Sequence, residues 1–181
     1  MALNTLKDVY IDQLQDIYSA DRQSLEATKK LHERATDADL KAALKRGVDG
    51  IQSGLDTLKP IIEGHGAKPT GEFCKGMEGI VKEVDAHVIN TEFGDDAVRD
   101  AMIITQYQRM THYGIAGYGC LTAMAKSHTN LTMWHKCIVT NHRKIMSHSN
   151  LAMRHKLCQR CEKTSACYNW CSAARSLEDR H

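Results

Sequence analysis

The sequence predicts an all-α protein, a bundle of long helices, on three observations. Aromatic residues make up only 6% of the chain and prolines number two, Pro60 and Pro69, so the turn signals of a sheet sandwich are sparse. Apolar residues recur at spacings of three and four through most of the first 126 positions, the period of a helix that buries one face. The apolar share of 42% can supply a core for one domain, and no run of eighteen apolar residues occurs that could cross a membrane.

A first helix is expected over roughly 4–34, with Asn4 as its cap. Val9 or Tyr10, Leu14, Ile17, Tyr18, Asp21, Leu25 and Thr28 share one face, and Asp8, Asp12, Arg22 and Lys29 lie outside it. Asp37 can cap a second helix over roughly 38–64, whose stripe is Leu40, Leu44, Val48, Ile51, Leu55, Leu58 and Ile62 and which ends at the glycines of EGHGAKPTG. A short third element carries Met77, Ile80, Val81, Val84 and Val88 on one face, and NTEFGDD breaks it. The last clear helix runs from about 96 to 126 through Val98, Met102, Met110, Gly114, Tyr118 and Leu121. Closing such a bundle takes a fourth long helix, which the remaining residues would have to supply.

Composition changes sharply at that point. Residues 1–126 hold 15 Lys and Arg against 19 Asp and Glu, a net of −4, whereas 127–181 hold 9 against 3, a net of +6. No Gly follows Gly119, and the tail takes five of the seven Cys and six of the ten His. A break of this kind marks a domain boundary, a tail or a change of reading frame. MALNTLKDVY is charged by its seventh residue and lacks a signal-peptide core, so a cytoplasmic protein with reduced cysteines is expected.

Asp21 is the candidate site residue. A carboxylate on the apolar stripe, four residues from both Ile17 and Leu25, must be paired, hydrogen-bonded or bound to a cation, because bare burial costs several kcal/mol. Its partner is then Tyr18, a facing side chain, or a metal ion of the kind helix bundles hold between inward carboxylates.

Three segments, DVYIDQLQDIYSADRQ, KPTGEFCKGMEGIVKEV and DDAVRDAMIITQYQRMTHYGIAGYGCL, closely resemble the ferritin-like YciE/YciF group, whose usual forms are of the type DLYSAEKQ, CxAMEGLI and EHYEIAxYGTL. The resemblance covers about residues 5–126. It implies a ferritin-like four-helix bundle, homodimeric, associated with bacterial stress responses and carrying a carboxylate di-metal centre of iron or manganese with ferroxidase-like chemistry.

This chain departs from the group at the positions that face that centre. Thr111, His112, Tyr113 and Gly114 stand where the group has EHYE; Gly47, Val48, Asp49, Gly50 and Ile51 stand where it has HLEET; and Gly54 replaces a common His or Gln. Asp21 takes the place of a Glu, and Gln13 replaces another acid. His112 lies about 100° around the helix from Thr111 and does not replace the lost carboxylate, and Asp49 points one residue away from Gly50. Glycines inside helices cost up to about 1 kcal/mol each relative to alanine, so the stripe suggests either close helix approach or positions that have lost their ligands. The expectation is a ferritin-like domain over 1–126 with its metal site and the ferroxidase-like role impaired, most ligands being absent and Asp21 the one residual candidate ligand.

For residues 127–181 the expectation is an atypical basic tail, out of frame or disordered, in place of a well-formed fourth helix. An alternative reading makes it a zinc module through Cys158, Cys161, Cys167 and Cys171 with His155, although five residues between the two Cys pairs is short for a tetrahedral site. His128, His135 and His142 recur at seven residues, and nucleic-acid binding rests on the +6 charge alone.

Overall fold

The computed structural model describes residues 3–127. Helix α1 spans Leu6–Arg34, α2 Ala38–Gly64, α3 Lys75–Val84 with a π-helical turn at Asp85–Ile89 continuing it, and α4 Asp96–Ser127. There are no strands among the described residues, and no helix among them is long and apolar enough to cross a membrane. The fourth long helix, the zinc and histidine patterns and the basic tail all fall beyond Ser127, outside the described residues.

The predicted spans hold to within a few residues, with two corrections. Thr5, not Asn4, caps α1: its hydroxyl accepts from Asp8 N at 3.1 Å while Asp8 Oδ2 accepts from Thr5 N at 2.8 Å, a reciprocal capping box that Asn4 is one residue too early to make. Val98 is 57% exposed rather than on the core face, because it lies in the first turn of α4. Asp37 caps α2 as expected, accepting from Leu40 N at 2.9 Å.

Helices α1 and α2 are joined by only three residues and pack against each other most extensively, with α1 also meeting α3 and α4. Two apolar clusters result. One gathers Leu31, Leu40, Leu44, Met77, Val84, Val88, Ile103 and Met110, and the other Tyr10, Leu14, Ile17, Leu58, Ile61, Ile62, Tyr118 and Leu121. Gly117 lets α4 approach α1 at the second cluster, since a Cβ there would lie 2.0 Å from Ile17 Cδ1. Helices α2 and α4 make no extended contact of their own, and the space between them is where the candidate site lies.

Candidate functional site

A helical face repeats every three to four residues, and that rule builds the site from three helices. On α1 the series is Asp21, Ser24 and Thr28; on α2 it is Gly47, Gly50 and Gly54; on α4 it is Tyr107, Thr111, Gly114 and Tyr118. Tyr107 and Tyr118 lie eleven residues apart, three turns, and so share a face. Each stands over an end glycine of α2. A Cβ at Gly47 would fall 2.2 Å from the Tyr107 hydroxyl, and one at Gly54 would fall 3.0 Å from the Tyr118 hydroxyl and 3.2 Å from Asp21 Oδ2. The end glycines therefore admit tyrosines, not a close approach of helix backbones.

Between those ends the chain leaves a gap. A Cβ at Gly50 or Gly114 would meet nothing within 4 Å. Both residues line a cavity of about 320 Å³, with Asp21, Ser24, Thr28, Tyr107 and Thr111 also on its walls and Met77 and Met110 contributing apolar surface. Arg46 and Asp49, both exposed, contribute to the lining from α2, and Asp49 is paired there with Lys45.

Asp21 is 5% exposed, and its partner is the facing side chain Tyr118, which donates to Oδ2 at 2.5 Å. Tyr18 is not involved. Burial pushes the Asp21 carboxyl up to about 7, against the Tyr118 hydrogen bond, which favours the charged form. Burial, and then the charge of Asp21, push the Tyr118 phenol well above its ordinary value. The other carboxylate oxygen has no donor among the described residues. The wall hydroxyls do not reach it: Ser24 Oγ donates to Asp21 O at 3.2 Å, Thr28 Oγ1 to Ser24 O at 2.6 Å, and Thr111 Oγ1 to Tyr107 O at 2.9 Å. Each hydroxyl proton is turned onto its own helix.

A di-iron or di-manganese centre draws on inward carboxylates from several helices. The described residues of this cavity supply one buried carboxylate, and no group of three or more His, Cys, Asp or Glu that could hold a metal ion occurs among the described residues. His112 is exposed, with Nδ1 2.8 Å from Gln108 O, as its register predicts. The described residues therefore do not fit a di-metal centre.

Two polar arrangements escaped the sequence reading. Asp100, 2% exposed, accepts from Thr36 N at 2.9 Å, Thr36 Oγ1 at 2.8 Å and Asp37 N at 2.9 Å, and so ties α4 to the α1–α2 corner. Cys74 caps α3, with its sulfur 2.9 Å from the Tyr113 hydroxyl and 3.4 Å from Asp16 Oδ2 and its backbone N–H on Ser19 Oγ at 3.0 Å. Burial raises the thiol, so Cys74 is held protonated rather than as a nucleophile. These links span 39 to 64 residues of sequence, and no local pattern announces them.

Comparison with known proteins agrees with this architecture. The sequence pattern of the domain of unknown function DUF892 matches residues 5–137, running past Lys126. Protein YciF of Escherichia coli strain K12 is 31% identical over 127 residues, 70% of this chain and 75% of YciF. Among solved structures, YcfI of Rhodopseudomonas palustris is similar at a TM-score of 0.73 and 30% identity, covering 81% of this chain and 91% of that one. The E. coli stress protein YciF is similar at a TM-score of 0.74 and 26% identity, with the same coverage. The chain belongs to the DUF892 family, that of the YciF-type proteins.

Proposed function

We propose that this chain is a bacterial stress-associated YciF-type bundle whose interhelical centre no longer holds a metal pair, and that it acts without ferroxidase chemistry, as a homodimer in the cytoplasm. The stress association is carried over from the description of its relative as a stress protein, and the dimer from the family resemblance. The observation that carries the loss of the centre is the donor set. One carboxylate, Asp21, is buried at the cavity and already engaged by Tyr118, while Gly50, Gly114 and Thr111, which replace the group's acids, offer a gap or a hydroxyl turned onto its own helix. A single carboxylate can neither fill the coordination spheres of two cations nor balance their charge.

Anaerobic loading of the full chain with ferrous iron or manganese, followed by desalting and elemental analysis, tests the reading. Retained metal is expected to fall well below one ion per chain, and two tightly held ions would overturn the proposal. The triple variant Gly50→Glu, Thr111→Glu, Gly114→Glu is expected to raise retention, because all three positions line the same cavity.

A further inference from the structure

The cavity that the missing acids leave is itself shaped as a binding site. Its volume of about 320 Å³ falls in the range of small-molecule pockets. Its lining on α1 runs from Asp21 to Thr28, seven residues at about 1.5 Å each, or about 10 Å. Asp21, backed by Tyr118 and Gly54, lies at one end, Thr28, Tyr107 and Gly47 at the other, and Met77 and Met110 add apolar wall.

Apart from the Tyr107 hydroxyl and the Arg46 guanidinium, which lie toward the far end, the polar side chains that α1 and α4 place along this slot present acceptors. Ser24, Thr28 and Thr111 give their hydroxyl protons to carbonyls of their own helices and keep only oxygen lone pairs. Asp21 has one oxygen held by Tyr118 and the other without a donor among the described residues. An acceptor-lined slot with a buried carboxylate at one end needs a ligand that brings donors and positive charge to that end and apolar surface elsewhere. We propose that the cavity binds a small linear primary amine, its ammonium on the free oxygen of Asp21 and its alkyl chain running toward Tyr107 between Gly50 and Gly114. Arg46, which contributes to the lining from the exposed face of α2, disfavours a second ammonium at the far end and so a diamine. This inference rests on the reading that no metal pair fills the cavity, and the two fail separately, because the amine is tested with chelator present and the metal without amine.

The test uses the full chain in phosphate buffer with chelator and no competing amine. Hexan-1-amine, hexan-1-ol and hexanoate are titrated by calorimetry and by thermal shift. The amine is expected to bind saturably and about tenfold or more tighter than the alcohol, the factor for a hydrogen bond to a charged partner, and hexanoate is expected not to bind. Asp21→Asn, which keeps shape and an acceptor for Tyr118, is expected to remove the amine's advantage. Gly114→Leu, placed in open space, should fill the slot and abolish binding while the melt shows a folded protein. The proposal is overturned by no saturable amine binding to the wild type, by equal binding of amine and alcohol, by unchanged amine binding to Asp21→Asn, or by undiminished binding to folded Gly114→Leu. Hexanoate binding as tightly as the amine would likewise overturn it.

Discussion

Two buried carboxylates sit at opposite extremes of compensation. Asp100 accepts three hydrogen bonds from the start of α2 and the residue before it, all at 2.8 or 2.9 Å. Asp21 accepts one, from Tyr118, beside a cavity. Both are almost fully enclosed, so burial does not distinguish them; the number of donors does. A buried charge whose lone pairs are met belongs to the scaffold, whereas one left short marks a place where something else was, or is, bound.

The largest expected effect is at the satisfied end. Asp100→Ala strands two backbone N–H groups and the Thr36 hydroxyl, and should cost about 3 kcal/mol, a fall in Tm on the order of 10 °C by thermal melt. A loss under about 1 kcal/mol would erase the contrast with Asp21.

Glycines sharpen the same comparison at smaller size. Gly117→Ala forces a methyl onto Ile17, which is 2% exposed in a closed cluster, and should destabilise by about 1–3 kcal/mol in denaturant unfolding. Smaller and opposite in sign, Gly50→Ala and Gly114→Ala meet nothing within 4 Å and should each stabilise by about 0.5–1 kcal/mol through helix propensity. Destabilisation at either position would mean that the space beside it is filled.

Much of this was legible in the sequence. The 3.6-residue pattern located every described helix, and the register that puts Gly50 and Gly114 toward the centre and His112 away from it agrees with the cavity wall, whereas Asp49, expected to point away, contributes to the lining from its exposed position. The THYG and GVDGI segments pointed to missing ligands by resemblance alone. Less legible was what replaced them. The Tyr118 hydroxyl reaches Asp21 across 97 residues, and Asp100 reaches Thr36 across 64; such pairings follow from helix packing, not from local spacing. The Thr5–Asp8 capping box is spelled by residue type and spacing, but Asn4 beside it is an equally good cap by type alone. The exposure of Val98 depends on how far its neighbours extend over the first turn of α4, which periodicity does not encode.

The central claim is that Asp21 is an undercompensated carboxylate, and its pH dependence tests that most directly. The titratable and charged groups around it are Tyr118 and Tyr107 from α4 and Arg46 and Asp49 from α2, while α3 presents only Met77. A folded value raised from 3.8 to about 7 means that the native state holds the proton more tightly than the unfolded chain does. The associated stability is present below the unfolded value and is lost as pH rises through about 7. Asp21→Asn has no such titration and keeps the Tyr118 hydrogen bond. Unfolding free energies of wild type and Asp21→Asn, measured from pH 5 to pH 8, should diverge in favour of the variant as pH rises, by up to a few kcal/mol in order of magnitude. A variant that is less stable than wild type by the same amount at every pH would contradict the account and place Asp21 beside Asp100 as a fully satisfied part of the scaffold.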